Sequence, residues 1–133
     1  MFEYHGWISV QESARADDDD PGSFRLKGIV AAIESRIREI DSPHLLDLRW
    51  MNGEAFVHFG GLRNHRDPEV LDFFGEIGRW APGSYGLLHV RDDEDPGHEN
   101  EVRVLRMVRG ALFEGVEASL SPCVPVLEDP YEA

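Results

Sequence analysis

The chain opens on a strict alternation of apolar and polar positions. In the stretch Phe2-Glu3-Tyr4-His5-Gly6-Trp7-Ile8-Ser9-Val10-Gln11-Glu12-Ser13, one side of an extended strand carries Phe2, Tyr4, Gly6, Ile8 and Val10. The other side carries Glu3, His5, Trp7, Ser9 and Gln11. A period of two predicts a strand over 2–13 with one face in the core. Trp and His on the second face mark it as a surface to be covered or offered. The period then changes. Leu26, Ile29, Val30, Ile33, Ile37 and Ile40 recur at three- and four-residue steps, which predicts a helix over 24–40 with one apolar stripe. Asp41-Ser42-Pro43 ends it, because proline disfavours helical geometry in the residue before it. Between strand and helix, Asp17–Asp20 and Pro21-Gly22 read as a solvated loop. Its adjacent carboxylates diverge and lack the alternating ligands of a calcium loop. Asp20 favours the start of the helix that follows.

Two short apolar runs, Leu45–Met51 and Glu54–Phe59, flank Asn52-Gly53, the favoured pair for a two-residue type I′ turn. They predict a hairpin. A second helix starts at Asp67-Pro68-Glu69, with Asp67 as N-cap and Pro68 in the first helical position. Val70, Leu71, Phe73, Phe74, Ile77 and Trp80 form its apolar face. Gly75 and Gly78 weaken the helix, each by about 1 kcal/mol relative to alanine, and suggest close packing. Pro82-Gly83 ends it. Strands are then expected over Tyr85–Arg91 and Glu101–Phe113, with a short one around Cys123–Leu127. The order β-α-β-β-α-β, plus extra C-terminal strand or strands, is that of an α+β, ferredoxin-like split β-α-β fold. Both helices would cover one face of an antiparallel sheet, with the first strand between the third and fourth. A single domain over 1–133 is expected, with 114–133 as an extended segment packed on it.

Charge changes the picture next. Lys and Arg number 13 against 26 Asp and Glu, a formal net charge of −13. Such a surface repels nucleic acid and anionic membrane and attracts basic partners. Cys123 is the one cysteine, so no intrachain disulfide is possible, in keeping with a reducing cytoplasm. The start of the chain has no basic and then apolar signal pattern, and no run approaches the ~20 apolar residues of a membrane span. A cytoplasmic protein without nucleic-acid or membrane partners is expected.

The face of the sheet away from the helices would hold His5 and Trp7, Phe56 and His58, and Tyr85, Leu87, His89 and Arg91. Three histidines, His5, His58 and His89, match the ligand count of some catalytic zinc centres, if the register lets them converge within ~2.1 Å of one point. No His-x-His or His-x-x-x-His spacing supports that, and a polar-aromatic packing face explains the same residues. Catalytic motifs are weak. There is no Gly-x-Ser-x-Gly, no phosphate-cradling loop and no Cys-x-x-Cys. Cys123 has no basic neighbour in sequence to activate it. The segment 92–101 is strongly acidic, which suits either a solvated loop or a surface that steers a basic partner.

Three segments together carry a resemblance: Phe2–Ser13; Ser84-Tyr85-Gly86-Leu87-Leu88-His89-Val90-Arg91 with Asp92–Asp95; and Leu120–Tyr131 with its prolines. In this order and combination the chain resembles the immunity protein 7 family, small antidotes that accompany bacterial polymorphic toxins. The resemblance implies a non-enzymatic, cofactor-free protein that binds and neutralises a cognate toxin by stoichiometric occlusion. A basic nuclease is the toxin that would account for the charge. On that footing Asp92, Asp93, Glu94 and Asp95 are expected to pair with basic toxin groups, and Trp7, His5 and Tyr85 to anchor the contact. The alternative is a metal-dependent enzyme using His5, His58 and His89, or a small-ligand sensor on the same sheet face.

Overall fold

A computed structural model describes residues 1–13 and 24–129. The acidic run Asp17–Asp20 with Pro21-Gly22, and Pro130-Tyr131 at the end of the third quoted segment, lie outside the described residues. The elements are β1 (Phe2–Val10), α1 (Phe24–Ile40), β2 (Leu45–Met51), β3 (Glu54–Arg63), α2 (Pro68–Trp80), β4 (Tyr85–Asp92), β5 (Arg103–Val108) and β6 (Ala111–Val116). They build one antiparallel sheet in the order β2-β3-β1-β4-β5-β6. The first strand therefore sits between the third and fourth. The architecture is α+β, with both helices on one face.

The core follows from the two periodicities. Phe2, Tyr4 and Ile8 of β1, Val57 and Phe59 of β3, and Leu88 of β4 all point to the helices and are buried. Leu26, Val30 and Ile33 of α1 meet them, as do Val70, Phe73, Phe74 and Ile77 of α2. Phe59 lies 6.0 Å from the Phe73 ring and 5.5 Å from Phe74. Asp67 caps α2 by accepting from the Val70 amide, and Pro68 takes the first turn, where its missing donor leaves nothing unpaired. Asn52 and Gly53 both adopt positive φ, 52° and 82°, as the type I′ turn requires. At the end of α1, Asp41 turns left-handed at φ 48° and donates its amide to Ile37.

Three expectations change. The long fifth strand is two strands, because Arg109 (φ 49°) and Gly110 (φ 76°) make a second tight turn between them. Arg-Gly lacks the Asn-Gly signature, so the alternation reads straight through it. Gly78 explains why the turn belongs there: a Cβ on Gly78 would strike the Gly110 carbonyl, and a Cβ on Gly110 the Gly78 carbonyl. Trp80 sits at the margin of the α2 stripe and is partly exposed, since glycine at 75 and 78 brings that side of the helix against the β5–β6 hairpin instead. No strand forms at 123–127. Pro122 and Pro125 remove ladder donors there, and side-chain contacts take over.

Candidate functional site

The sheet registers place the side chains of the uncovered face in rows. One row runs across all six strands: Asp47, His58, Trp7, Leu87, Arg106 and Phe113. The next carries Arg49, Phe56, Ser9 and Tyr85. Aromatic contacts tie the rows together. Trp7 meets Tyr85 edge to face, with ring centroids 5.9 Å apart. Phe56 and His58 lie 6.5 Å apart. The Arg106 guanidinium sits 5.2 Å over the Phe113 ring. At the β2 edge, Arg49 donates to Asp47 at 2.6 Å. Tyr85 and Phe113 are exposed, while Trp7, Phe56, His58 and Leu87 are half-buried by one another.

A second part of the same face is bordered by the C-terminal tail. Leu120, Ser121 and Pro122 stand beside Glu3, His5, His89, Arg91 and Val102, and together they line an open cavity of about 440 Å³. Asn100 fastens this tail. Its side-chain oxygen accepts from the amides of Cys123 and Val124, both at 2.9 Å, and its nitrogen donates to the Val124 carbonyl at 3.1 Å. Arg91 reaches the Cys123 sulfur at 3.2 Å, and Glu128 accepts from the Ser121 amide at 2.8 Å. The histidines here face carboxylates: His5 with Glu3 at 3.0 Å and His89 with Glu117 at 3.7 Å.

The acidic loop after β4 is tied to its own chain. The Met1 ammonium lies between Asp93 at 2.7 Å and Glu94 at 3.2 Å. Hydrogen bonding to these carboxylates raises the ammonium pKa, and the same bonds to the ammonium lower those of Asp93 and Glu94. Glu94 also pairs with His65 at 2.9 Å. Asp92 is largely buried, faces Arg66 at 3.5 Å and accepts from the Glu94 amide. Asp95 is half-buried and donates its amide to the Asp92 carbonyl. The basic run Arg63-Asn64-His65-Arg66, conspicuous in so acidic a chain, was the available signal for this anchoring.

Of the residues singled out from sequence, Trp7 and Tyr85 come together, and His5 lies one row away, exposed beside the tail. Asp92 to Asp95 stand at the other end of β4. Tyr85 and Asp92 are its first and last residues, ~24 Å apart at strand rise. His5 and His89 are cross-strand neighbours, whereas His58 pairs with Trp7 in the adjacent row. Among the described residues no group of three or more His, Cys, Asp or Glu is placed to hold a metal ion. No helix among them is long and apolar enough to cross a membrane. Arg106, Phe113 and Asn100 were not singled out, because their roles depend on a hairpin and a tail path that alternation does not reveal.

Comparison with known proteins points the same way as the three quoted segments. No curated protein and no solved structure matches the chain. The family described as Immunity protein 7 matches residues 1–129. These proteins guard against polymorphic toxins by binding a cognate toxin protein, and they are generally non-enzymatic. A match over nearly the whole length places this chain, an α+β sheet with one aromatic face left open, in the immunity protein 7 family.

Proposed function

We propose that the protein neutralises its cognate toxin by one-to-one occlusion, with the open half of the sheet face as the docking surface. The observation that carries this reading is the Trp7–Tyr85 edge-to-face pair on the sheet face away from the helices, with Tyr85 exposed. Paired aromatics on a rigid sheet supply large contact area at small ordering cost, and Trp, Tyr and Arg dominate the energetics of protein interfaces. His5 borders this patch and keeps two-thirds of its side chain exposed. Asp93, Glu94 and Asp95 act at the far end of β4, steering basic toxin groups toward the face. Asp92 holds that loop in position. A toxin meeting both patches spans the length of β4. The net charge of −13 favours a basic toxin, and a nuclease has to be basic where it grips phosphate.

The test is titration of the purified cognate toxin at two salt concentrations. A tight one-to-one complex whose association slows with salt, and whose affinity falls in Trp7→Ala and Tyr85→Ala, supports the reading. Full affinity in both variants would remove the open face as the docking surface. Salt-independent association would remove the steering role of the acidic loop.

A further inference from the structure

We infer that β6 is a self-complementary edge through which a second copy of this chain joins the sheet. All six of its residues, Ala111–Val116, are exposed, and among the described residues no strand pairs with its outer side. Leu112, Phe113 and Val116 leave it apolar for an edge, where free backbone groups ordinarily call for charge, proline or a bulge. Each edge strand carries an ion pair, Glu114–Arg103 on β6 and Arg49–Asp47 on β2, so charge alone does not blunt β6.

The tight turn fixes which backbone groups are free. Val108 and Ala111 flank the two-residue turn and form the hydrogen-bonded pair that closes it. Ala111, Phe113 and Gly115 therefore direct their amides and carbonyls to β5, while Leu112, Glu114 and Val116 direct theirs outward. An antiparallel pairing of two β6 strands about a two-fold axis normal to the sheet has two registers of full overlap. Centred on Glu114, it sets two like charges directly opposite, which is destabilising. Centred on Phe113, it pairs Leu112 with Glu114 of the second copy, and Glu114 with Leu112 of the second copy, each through two backbone hydrogen bonds. The two Phe113 rings then meet at the close, non-hydrogen-bonded position on the open face, each beneath its own Arg106. Ala111 falls opposite Gly115, where a side chain would have open space. The same register brings the turn residue Arg109 to the end where Glu117 of the second copy leaves the sheet.

The two-fold axis keeps both open faces on one side. Trp7 of the two copies lies seven strand steps apart, ~34 Å along the sheet. The pair thus presents two toxin-docking surfaces in one plane, but the pairing itself does not depend on the toxin.

Sedimentation equilibrium of the full chain, from micromolar to millimolar protein and at about 50 and about 500 mM NaCl, tests this. The expected result is a concentration-dependent dimer of the 15.1 kDa chain that strengthens with salt, since two bodies of charge −13 repel each other. This salt dependence is opposite in sign to that expected for the toxin complex. Glu114→Pro removes an outward-facing donor and leaves the ladder to β5 intact, so dimerisation weakens at least tenfold with unchanged circular dichroism. Phe113→Lys places two ammonium groups on the axis and weakens it comparably, which keeps the test sound if proline at 114 disturbs folding. A chain monomeric throughout overturns the inference, as does a dimer indifferent to both folded variants. A monomer in which Glu114→Pro instead weakens the toxin complex assigns the edge to a strand of the toxin and also overturns it.

Discussion

The two halves of the open face begin from the same sequence pattern and end differently. Around Glu3, His5, His89 and Arg91, the tail borders the sheet and the side chains face carboxylates, a guanidinium or the Cys123 sulfur. Around Trp7, Phe56, His58 and Tyr85, the contacts are ring against ring, and Tyr85 stays exposed. Alternation along β1 gives the same outward side to His5 and Trp7, so it does not distinguish the two outcomes. The path of residues 117–129 does, and Asn100 sets that path. A histidine on an open sheet face is thus read differently once a neighbouring carboxylate and a bordering segment are known.

The largest effect that sharpens this contrast is on binding. Trp7→Ala is expected to weaken the toxin complex by about 2 kcal/mol or more, roughly 30-fold, while His89→Ala beside the tail changes it less than twofold. Parallel titrations of both variants check this, and equal losses would break the division of the face. The next effect is on stability. Asn100→Ala removes three hydrogen bonds to the tail and is expected to lower unfolding stability by about 1–3 kcal/mol. Hydrogen exchange should then quicken at 117–129 and stay unchanged at the Trp7 row. Smaller still, Asp93→Asn with Glu94→Gln should slow association with the toxin several-fold at low salt, and the difference should vanish at high salt. Stopped-flow mixing reads that rate directly.

The smallest effect concerns pH at the acidic loop. The Met1 ammonium has its pKa raised above 8.0, so its contribution is complete below 8.0 and is lost as pH rises through the raised value. Asp93 and Glu94 have theirs lowered below 3.8 and 4.5, so their contribution is complete above those values and is lost as pH falls through the lowered ones. Loop amides at 92–95 should accordingly exchange slowest between these limits, after correction for intrinsic rates, and faster outside them. All three groups are solvent-exposed, so the change should be confined to the loop.

Much of the fold was legible because it rests on local rules. The apolar stripe of α1, the Asp67-Pro68 start of α2 and the Asn52-Gly53 turn each declare themselves within a few residues. The outward set on β1, β3 and β4 followed from alternation alone. What escaped depended on contacts far apart in sequence. Arg109-Gly110 became a turn because Gly78 of α2 receives it. The acidic loop is held by Met1, His65 and Arg66, 26 to 93 residues away along the chain. Asn100 acts on the tail 24 residues later. Resemblance supplied the immunity role, which neither periodicity nor charge contains.

The central place of β1 has a consequence for how the protein comes into being. Its two neighbours are β3 and β4, so β1 waits for residues 54–63 and then 85–92 before both edges are satisfied. At a synthesis rate of roughly 5–20 residues per second, the second neighbour follows on the order of ten seconds after β1 is made. During that interval Phe2, Tyr4, Trp7 and Ile8 form an unpaired apolar strand on the nascent chain, open to chaperones or to the wrong partner. Such long-range pairing also slows folding itself. The face that carries Trp7 and Tyr85 is therefore assembled only once residues 85–92 have been made and paired with β1.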